Sequence, residues 1–300
     1  MKIGVIGIGG IAKKAYLPVY AHLQDIEFHF YTRNKQALLD IQQQYRFTYM
    51  HHSLDDLINS GITAAFVHSA TDSHYELIKT LLLHDIHVYV DKPITYHLQQ
   101  TKELTELAKA RNLQLFTGFN RRFAPTYQAC KEIKQPNLLV MQKNRYKQAE
   151  DIRTFVYDDF IHVIDTLLFL FTEPIEELNV SGKKEGEVLY HAVVQFHSKN
   201  MTAIAIMNRD SGTREERLEV MSQEEKRVVR DVATMSIRHV KQETKLSVDD
   251  WAATLEKRGF EQIVQHFIDV ITKSATPAIS MEESLKTHEI CEQIIDELLK

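Results

Sequence analysis

The sequence has few of the residues that build disulfide frameworks or metal centres. Only two of its 300 residues are cysteines, Cys130 and Cys291, and they lie far apart, outside any CxxC or histidine-rich pattern. Its 15 histidines, the pair His51-His52 included, show no metal-ligand spacing. Neither a disulfide framework nor a metal site is therefore expected, and this cysteine usage is typical of a reducing compartment. We expect a cytoplasmic protein without a bound metal.

Long uncharged apolar runs are also lacking. The most apolar stretch, Val163 to Phe171, is short and contains Asp165, so it predicts a buried helix rather than a transmembrane span. The apolar start of the chain is interrupted by Lys13 and Lys14 before it could form a signal peptide. The net charge of −5 comes without a basic block, so neither nucleic acid nor a membrane is expected as a partner. The expected partner is a small-molecule substrate.

The first third of the chain alternates short apolar runs with helical patterns. The predicted strands are Lys2–Ile6, Glu27–Tyr31, Phe47–Met50, Ala64–His68, His87–Val90 and Leu113–Thr117. The predicted helices are Gly10–Leu23, Lys35–Tyr45, Ser73–His84 and Leu98–Ala110. Alternation of this kind predicts an α/β fold with a doubly wound parallel sheet.

After about Phe119 the pattern changes to strands that follow one another closely. The predicted elements are helices at Arg122–Ile133, Asp158–Phe171, Trp251–Ile271 and Met281–Leu299, and strands at Leu138–Lys143, Glu187–Phe196, Met201–Met207, Arg217–Ser222 and Arg227–Val232. The polar run Lys241–Asp250 is expected to be an exposed loop. We therefore predict two domains, 1–121 and 122–300, the second an α+β domain with a mostly antiparallel sheet. Edge-rich sheets often pair across a two-fold axis, so a homodimer or homotetramer is expected.

A glycine-rich turn, Gly7-Ile8-Gly9-Gly10-Ile11-Ala12, directly follows the first predicted strand. It matches the pattern G-x-G-x-x-G/A, with Ala12 as the small third residue. Gly7 permits the tight turn, Gly9 lets the backbone approach a pyrophosphate, and free N–H groups at the helix start bind phosphate charge. This context predicts a Rossmann domain that binds a dinucleotide through Gly7, Gly9, Gly10, Ile11 and Ala12. The alternative is a glycine turn that serves packing alone.

The end of the second predicted strand bears on the choice of dinucleotide. NAD-binding domains usually carry Asp or Glu at this point to bind the adenosine ribose. Here the residues are Thr32, Arg33 and Asn34, without a carboxylate, and Arg33 could pair with a 2′-phosphate. We therefore expect NADP in preference to NAD. The alternative is that Arg33 is only a solvated residue at the start of a helix.

Several further motifs, in this order, carry a family resemblance. They are Tyr16-Leu17-Pro18, Asp91-Lys92-Pro93, the run Gly118–Pro125 that reads GFNRRFAP, and the run Asp158–Asp165 that reads DDFIHVID. Together with the glycine turn they resemble the glucose–fructose oxidoreductase and inositol dehydrogenase family, often written Gfo/Idh/MocA. The bacterial MviM-type members are the most similar in overall appearance. The resemblance extends from the first residue to about Phe171.

The resemblance implies an NAD(P)-dependent oxidoreductase that acts on a sugar, a cyclitol or a related hydroxyl or carbonyl compound. It implies that His162 is the acid/base, that Lys92 assists it, that Asp158 positions the substrate, and that Pro93 follows a cis peptide bond. Further cofactor contacts are expected from Ser69, Ala70, Thr71, His74, Asp91, Lys92 and Asn120. Further substrate contacts are expected from Asn120, Arg122 and Tyr157.

The chemistry of these residue types agrees with that assignment. Oxidation of an alcohol needs a proton acceptor, for which histidine is suited because its pKa lies near neutral pH. Asp158 and His162 are four apart on a predicted helix and therefore share a face. Lys92 follows a predicted parallel strand, and ligands of doubly wound sheets bind at that edge. Its ammonium would stabilise a developing alkoxide.

The chain departs from the family pattern at three places, and two other functions stay open. Asp91 replaces the family's glutamate, Ser69-Ala70-Thr71 stands where the family often has Thr-Pro-Asn, and Thr154–Tyr157 replaces a glycine-rich segment that leads into the motif helix. One alternative is a regulatory protein that senses the dinucleotide without turnover, although a sensor needs none of Lys92, Asp158 and His162. Another is an elimination or hydrolysis that proceeds through transient oxidation.

Overall fold

The computed structural model describes residues 1–247 and 252–300. The chain forms two compact units, Met1–Gly118 with Phe260–Lys286, and Phe119–Gly259 with Thr287–Lys300. The single division expected after residue 121 lies close to the first boundary between them. A single division does not predict that residues 260–286 return to the first unit. An amphipathic pattern shows that a helix is covered on one face, but not which sheet covers it.

The strands of both units, numbered in chain order, are β1 Lys2–Ile6, β2 Glu27–Tyr31, β3 Tyr49–His51, β4 Ala64–Val67, β5 His87–Val90, β6 Leu115–Thr117, β7 Leu138–Asn144, β8 Glu150–Asp151, β9 Glu177–Glu185, β10 Val188–His197, β11 Thr202–Asn208, β12 Glu215–Met221, β13 Lys226–Arg230, β14 Thr234–His239 and β15 Gln242–Ser247. The α-helices are α1 Leu17–Tyr20, α2 Lys35–Tyr45, α3 Leu54–Asn59, α4 His74–Leu83, α5 Leu98–Ala110, α6 Pro125–Lys131, α7 Ile152–Thr154, α8 Ile161–Leu170, α9 Thr254–Lys257, α10 Phe260–Lys273 and α11 Met281–Leu299. Two segments are π-helical, Ala12–Tyr16 and Phe155–Phe160.

The first unit contains the predicted parallel sheet. Its strand order is β3-β2-β1-β4-β5-β6, and every neighbouring pair is parallel. The chain order reverses at β1, which has β2 on one side and β4 on the other. Ligands of doubly wound sheets bind at such a switch point, beyond the carboxyl ends of the strands. The α/β fold class and the Rossmann architecture are confirmed.

Local chemistry explains where two helices of this unit depart from prediction. The run predicted as one helix from Gly10 to Leu23 is a π-helix followed by α1, which ends at Tyr20. Pro18 has no N–H to donate to the carbonyl four residues earlier, so regular α-helical bonding is interrupted here. The short helix α3 was not predicted, and it begins at Ser53, whose Oγ accepts a hydrogen bond from Asp56 N at 3.0 Å.

Aromatic packing assigns α10 to the first unit. The ring of Phe267 lies 5.2 Å from Phe66 on β4, 5.5 Å from Tyr89 on β5 and 5.7 Å from Phe116 on β6, measured between ring centroids. These four rings are buried. Burying large aromatic side chains is among the strongest contributions to a core, so this contact brings α10 back to the parallel sheet.

The second unit contains a nine-stranded sheet with the order β15-β14-β13-β12-β7-β11-β10-β8, and β9 pairs with β10. In the described part of this unit only β7 and β11 pair in parallel, so the predicted mostly antiparallel sheet is confirmed. Four strands, β8, β9, β14 and β15, were not predicted. The loop expected at Lys241–Asp250 is wrong where β15 forms, because the exposed polar side chains of Gln242 to Lys245 resemble those of a loop. Residues 248–250 lie outside the described residues.

The predicted helix Trp251–Ile271 is divided in the structure. Trp251 lies outside the described residues, and α9 ends before Gly259, after which α10 begins. Gly259 has φ +78°, and a Cβ at this position would lie 2.3 Å from the carbonyl oxygen of Asn120. Only glycine fits this backbone and this close approach, so the helix is interrupted here.

A buried ion pair stabilises the middle of the second unit. Arg121 donates from Nε and Nη2 to the two carboxylate oxygens of Glu216, at 2.6 and 2.7 Å, and Tyr127 donates to the same carboxylate at 2.9 Å. Burial by itself raises the pKa of Glu216. The charge of Arg121 and the hydrogen bonds from Arg121 and Tyr127 outweigh this effect and hold the pKa at about 2.

We predict that Glu216→Gln lowers the free energy of unfolding at neutral pH by about 3–5 kcal/mol, because it leaves the buried Arg121 without a counter-charge. The pKa of Glu216 is lower in the folded state than its ordinary 4.5. Its stabilisation is therefore complete above that pH and is lost as the pH falls towards 2. Urea unfolding of wild type should show this loss, and the variant should not. The exposed neighbour provides the control Glu215→Gln, and equal effects of both changes would contradict the prediction.

Candidate functional site

The glycine turn has the geometry that the sequence predicts. Gly7 has φ +93°, and a Cβ there would lie 2.5 Å from the backbone nitrogen of Ser69. At Gly9 the nearest atom to an added Cβ is His68 O at 3.8 Å, and at Gly10 nothing lies within 4 Å. The fold itself therefore needs glycine only at the first position. The free space beside Gly9 and Gly10 fits the approach of a phosphate group to the backbone.

A cavity of about 530 Å³ opens beside this turn. Seven of the predicted cofactor residues line it: Gly7, Gly9, Thr32, Arg33, Asn34, Ser69 and Ala70. Its other lining residues are Ile6, Ile8, Tyr31, His68, Ser73, Glu76 and Leu77. Clefts of this size commonly bind small molecules or part of a cofactor. The cavity lies where β1, β2 and β4 end, so the switch point and the glycine turn define one site.

The remaining predicted residues of the turn lie outside the lining of this cavity. Ala12 is fully buried, as the third position of the pattern requires for close packing of helix and strand. Ile11 is 45% exposed, which leaves an apolar side chain accessible at the helix start. The small residue thus serves packing, whereas contact of Ile11 and Gly10 with a dinucleotide stays a prediction.

The end of β2 presents one cation to the cavity. Arg33 is exposed, whereas Asn34 begins α2 and its Oδ1 accepts a hydrogen bond from Ala37 N at 3.2 Å. The predicted absence of a carboxylate at the strand end holds, but α4 contributes Glu76 to the same cavity. Sequence reasoning missed Glu76, because no local pattern shows that the first turn of a helix will face the end of a distant strand.

His74 supports the loop that leads into α4 and does not line the cavity. It is buried, with Nδ1 3.0 Å from the carbonyl oxygen of Pro93 and Nε2 3.1 Å from that of Ser69. Burial lowers the pKa of His74, although the two carbonyls oppose this effect. The peptide bond between Lys92 and Pro93 is cis, as the resemblance implies. Lys92 is half-buried and Thr71 begins a short 3₁₀ turn.

Asp91 is bonded inside the first unit. Tyr16 donates to its Oδ1 at 2.6 Å, and His68 Nδ1 lies 2.9 Å from its Oδ2. Tyr20 OH lies 2.7 Å from His68 Nε2, and Tyr89 OH lies 2.9 Å from Tyr16 OH. Because a carboxylate only accepts hydrogen bonds, His68 Nδ1 donates to Asp91.

This network fixes the end of β5, from which Lys92 follows. Burial opposes ionisation of Asp91, but the charge of His68 and the hydrogen bonds from His68 and Tyr16 keep the pKa of the carboxyl below its usual value. Both oxygens of Asp91 have internal donors, so its predicted contact with a dinucleotide stays untested. His68 could have been found from the sequence, since it is a polar residue directly after a buried parallel strand.

In the second unit, Asp158 and His162 are distinguished by exposure. Every other residue from Phe155 to Leu167 is buried, and these two alone are partly exposed. Asp158 lies in the π-helix Phe155–Phe160 and His162 in α8, so the junction of two helix types separates them. A buried helix leaves polar side chains accessible only where they face a cleft or solvent. The two residues are therefore partly accessible, and their roles in catalysis stay a prediction.

Asp159, next to Asp158, anchors the π-helix. It accepts hydrogen bonds from Arg145 at 2.8 and 3.0 Å and contacts the ammonium of Lys143. Burial, together with the charge of Arg121, lowers the pKa of Lys143 to about 7, although the charge of Asp159 opposes the shift. The two adjacent aspartates therefore differ in environment. Asp159 is buried against the sheet, and Asp158 stays accessible.

Three other predicted site residues are held in internal contacts of the second unit. Asn120 donates from Nδ2 to the carbonyl of Arg258 at 2.8 Å. Arg122 is buried and donates to both oxygens of Asp165, at 2.8 to 3.2 Å, and Tyr157 is buried and donates to Glu292 at 2.8 Å. These bonds account for all three polar groups structurally. Their predicted roles in binding cofactor or substrate stay untested.

Two further observations concern metals and membranes. Within residues 1–247 and 252–300, no group of three or more His, Cys, Asp or Glu residues could hold a metal ion. No helix in the same ranges is long and apolar enough to cross a membrane.

Comparison with known proteins identifies the class. Residues 1–119 match the family described as the oxidoreductase family with an NAD-binding Rossmann fold, and residues 125–242 match the YceM-like C-terminal domain. The oxidoreductase YceM of Salmonella typhimurium is 31% identical, over 98% of this chain and 97% of its own length. The chain therefore belongs to the Gfo/Idh/MocA family of oxidoreductases and is an enzyme. Within that family it is similar to YceM in both halves.

Solved structures and a functionally named relative agree with this assignment. The dehydrogenase MviM of Clostridium difficile has a TM-score of 0.94 at 35% identity, with 99% of each chain covered. The myo-inositol 2-dehydrogenase of Thermotoga maritima is 26% identical, over 71% of this chain and 66% of its own. The resemblance stated from motifs alone is confirmed, including the likeness to MviM-type members.

We predict that alanine at Gly7 affects stability and that alanine at Gly9 affects dinucleotide binding. Gly7→Ala should lower the melting temperature of the protein without cofactor, because a positive φ and the contact with Ser69 cost about 1–3 kcal/mol. Gly9→Ala should leave that temperature nearly unchanged but weaken dinucleotide binding about tenfold or more, since its methyl group occupies the space a phosphate needs. Scanning fluorimetry and titration with NADPH and NADH measure the two effects. Gly212→Ala, with nothing within 4 Å of the added Cβ, is the control, and normal dinucleotide affinity of Gly9→Ala would contradict the prediction.

Proposed function

We propose that the protein is an NAD(P)-dependent dehydrogenase or reductase that exchanges a hydride with a small hydroxyl or carbonyl compound, of the sugar or cyclitol kind. The observation that carries the proposal is the partial exposure of Asp158 and His162 in an otherwise buried segment. A relative that is named a myo-inositol 2-dehydrogenase supports a polyhydroxylated substrate. The cavity beside the glycine turn supports the dinucleotide.

The residues of the first unit fit a dinucleotide. Backbone groups at Gly9 and Gly10 would hold the pyrophosphate, and Arg33 would hold the adenosine end. When bound, the nicotinamide supplies the acceptor or donor of the hydride. Ser69 and Ala70 line the wall of the cavity to which α4 also contributes. The free space at the two glycines, which no internal contact requires, supports this assignment most directly.

The proposed acid/base is His162. Its imidazole would take the proton from the substrate hydroxyl as the carbon loses hydride, and return it in the reverse direction. Asp158 would orient the substrate through its carboxylate. Lys92 would stabilise negative charge on the reacting oxygen, because an ammonium near a developing alkoxide lowers its energy. The Asp91 network would keep Lys92 in place by fixing the end of β5.

The preference for NADP is part of the proposal. Arg33 at the end of β2 favours a 2′-phosphate, since guanidinium binds phosphate strongly. Glu76 in the same cavity favours the opposite choice, because a carboxylate repels a phosphate and can accept hydrogen bonds from ribose hydroxyls. We give more weight to Arg33, which occupies the position where the cofactor choice is usually made. Assembly as a homodimer or homotetramer stays a prediction from the edge strands of the large sheet.

We predict that Arg33→Ala weakens NADPH binding about tenfold or more and changes NADH binding by less than about threefold, because a charge-assisted pair with phosphate is worth roughly 1.5–3 kcal/mol. Glu76→Gln should leave or improve NADPH affinity and weaken NADH. Titration followed by nicotinamide fluorescence measures both. Tighter binding of NADH in wild type would show that the preference is wrong while the enzyme class remains.

We predict that His162→Ala lowers kcat by about 10²- to 10⁴-fold while dinucleotide affinity stays unchanged, because only proton transfer is lost. Turnover is measured on a panel of polyols and their carbonyl counterparts with the preferred dinucleotide. The variant should also lose the part of the pH dependence of kcat that wild type owes to its acid/base. His239→Ala, a change at an exposed histidine of the same unit, should keep wild-type rates. An unchanged kcat in His162→Ala would reject the assignment.

A further inference from the structure

A cluster of charged side chains connects the large sheet to the π-helix Phe155–Phe160. Lys143 is at its centre, and the charges that act on this lysine are those of Arg121, Arg145, Asp159 and Glu216. Arg121 and Glu216 bind each other through two hydrogen bonds, at 2.6 and 2.7 Å. Asp159 contacts both remaining cations, Lys143 and Arg145. Because each of these cations attracts the same carboxylate, the two together hold Asp159 more firmly than either would alone.

Both cations that contact Asp159 come from the centre of the sheet. Lys143 lies on β7, which is paired with β11 on one side and with β12 on the other. The side chain of Lys143 is 3% exposed and that of Asp159 is 10% exposed. Arg145 directly follows β7, and its backbone N donates to Asn208 O at 2.7 Å. A strand that is bonded on both sides does not shift easily, so it gives the π-helix a fixed reference.

The two residues next to Asp158 are bonded to different elements. Tyr157 is buried and donates to Glu292 on α11 at 2.8 Å. Asp159 is buried and accepts hydrogen bonds from Arg145 at 2.8 and 3.0 Å. In the π-helix only Asp158 is partly exposed. Its backbone is therefore held from both sides, by α11 and by the sheet.

The anchor at Asp159 matters because a π-helix is seldom adopted. Each of its hydrogen bonds spans one residue more than in an α-helix, and such turns occur mainly at functional sites. Relaxation to an α-helix would rotate the side chains of this segment relative to those of α8, which follows it and carries His162. Asp159 would then leave its two cations, at the cost of uncompensated buried charge. The ion pairs of Asp159 therefore favour the π form, in which Asp158 is accessible.

We propose that Asp159, held by Lys143 and Arg145, is a positioning residue that sets the orientation in which Asp158 meets the substrate. This inference rests on the proposed function, in which the carboxylate of Asp158 orients the substrate. Asp159 does not touch the substrate and acts only through the backbone that it shares with Asp158. Displacing an orienting group by about 1 Å can lower the rate by a factor of about 100.

Two variants test this role. Asp159→Asn keeps the shape of the side chain and removes the charge that the two cations share. The double variant Lys143→Met/Asp159→Leu replaces the buried pair by apolar side chains, a change that often costs little stability. Arg145 is partly exposed and can then be solvated, so this variant keeps the test decisive where Asp159→Asn fails to fold. Both variants should lower kcat/KM for the preferred polyol or carbonyl compound by about 10- to 100-fold.

Glu219→Gln is the matched control. Glu219 is also a carboxylate between two cations, Arg217 and Lys226, and these ion pairs lie within β12 and β13. The control should keep wild-type kcat/KM. A purely structural role of Asp159 would lower the melting temperature of Asp159→Asn and leave kcat/KM of the folded enzyme unchanged. The Asp159 variants should also keep the pH dependence of kcat that wild type owes to His162.

The pH dependence supplies a second readout. The pKa of Lys143 is about 7, because burial and the charge of Arg121 outweigh the attraction of Asp159 and Glu216. Lys143 is therefore charged below pH 7, where it helps to hold Asp159, and loses its charge above it. The ratio of kcat/KM in wild type to that in Lys143→Met should be about threefold or more at pH 6 and fall towards one at pH 8.5. A ratio that does not change with pH would overturn the role of Lys143.

Hydrogen–deuterium exchange measures the anchor without any substrate. Loss of the ion pairs should speed exchange of the backbone N–H groups of Phe155–Phe160 about tenfold or more, because local opening no longer separates buried charges. We expect this change in both Asp159 variants and not in Glu219→Gln.

The outcomes distinguish this inference from the proposed function. Wild-type kcat/KM in the folded Asp159 variants, or unchanged exchange in the π-helix, would overturn the positioning role and leave the dehydrogenase intact. Absence of dinucleotide binding in wild type would instead overturn the proposed function, while the exchange measurement would still decide whether Asp159 anchors the π-helix.

Discussion

The requirement that buried charge meet opposite charge governs the arrangement of both units. Asp91 enters the first unit together with donors from His68 and Tyr16, and Asp159 enters the second together with Arg145. Buried ion pairs often stabilise a fold no more than apolar residues of equal size would, so their effect is mainly positional. Asp91 fixes the strand end before Lys92. Asp159 fixes the π-helix. Because Asp159 is turned inward, the neighbouring Asp158 is left accessible.

The sequence was sufficient where the determinants are local, and the rest depends on contacts between distant residues. Buried apolar runs such as β1 and β4, together with a glycine turn at Gly7, predict the parallel sheet because each strand is specified by its own residues. β15 was missed because a strand with exposed, alternating charges looks like a loop in sequence. The return of α10 to the first unit was missed because its partner Phe66 lies about 200 residues earlier, and no periodicity encodes a partner.

The candidate site shows the same division. Gly7 and Arg33 were named from the strand-turn-helix pattern and Ser69 from the family resemblance, and all three line one cavity. Arg122 was named as a substrate residue because it lies in a recognisable motif. The structure pairs it with Asp165, 43 positions later, and its role with substrate stays a prediction. A motif reports which residue types occur together but not whether a charge is already neutralised. Asp158 and His162 could be named from spacing, but their accessibility emerged only from the burial of every residue around them.

The pairing of buried charges also makes a buried arginine with unpaired donors an exception that needs an explanation. If paired charge is the condition for carrying arginine into this fold, as Arg121 and Arg122 illustrate, then an arginine whose buried donors stay unpaired is under a different constraint. Proteins retain such costs mainly where function requires them, because the stabilising substitution is easily reached. Arg209 occupies the strand ends that also carry the anchor of the π-helix. Among the described residues, Arg209 and Arg217 both keep buried guanidinium N–H groups that no group of the chain accepts, and a bound water or ligand would complete their hydrogen bonding.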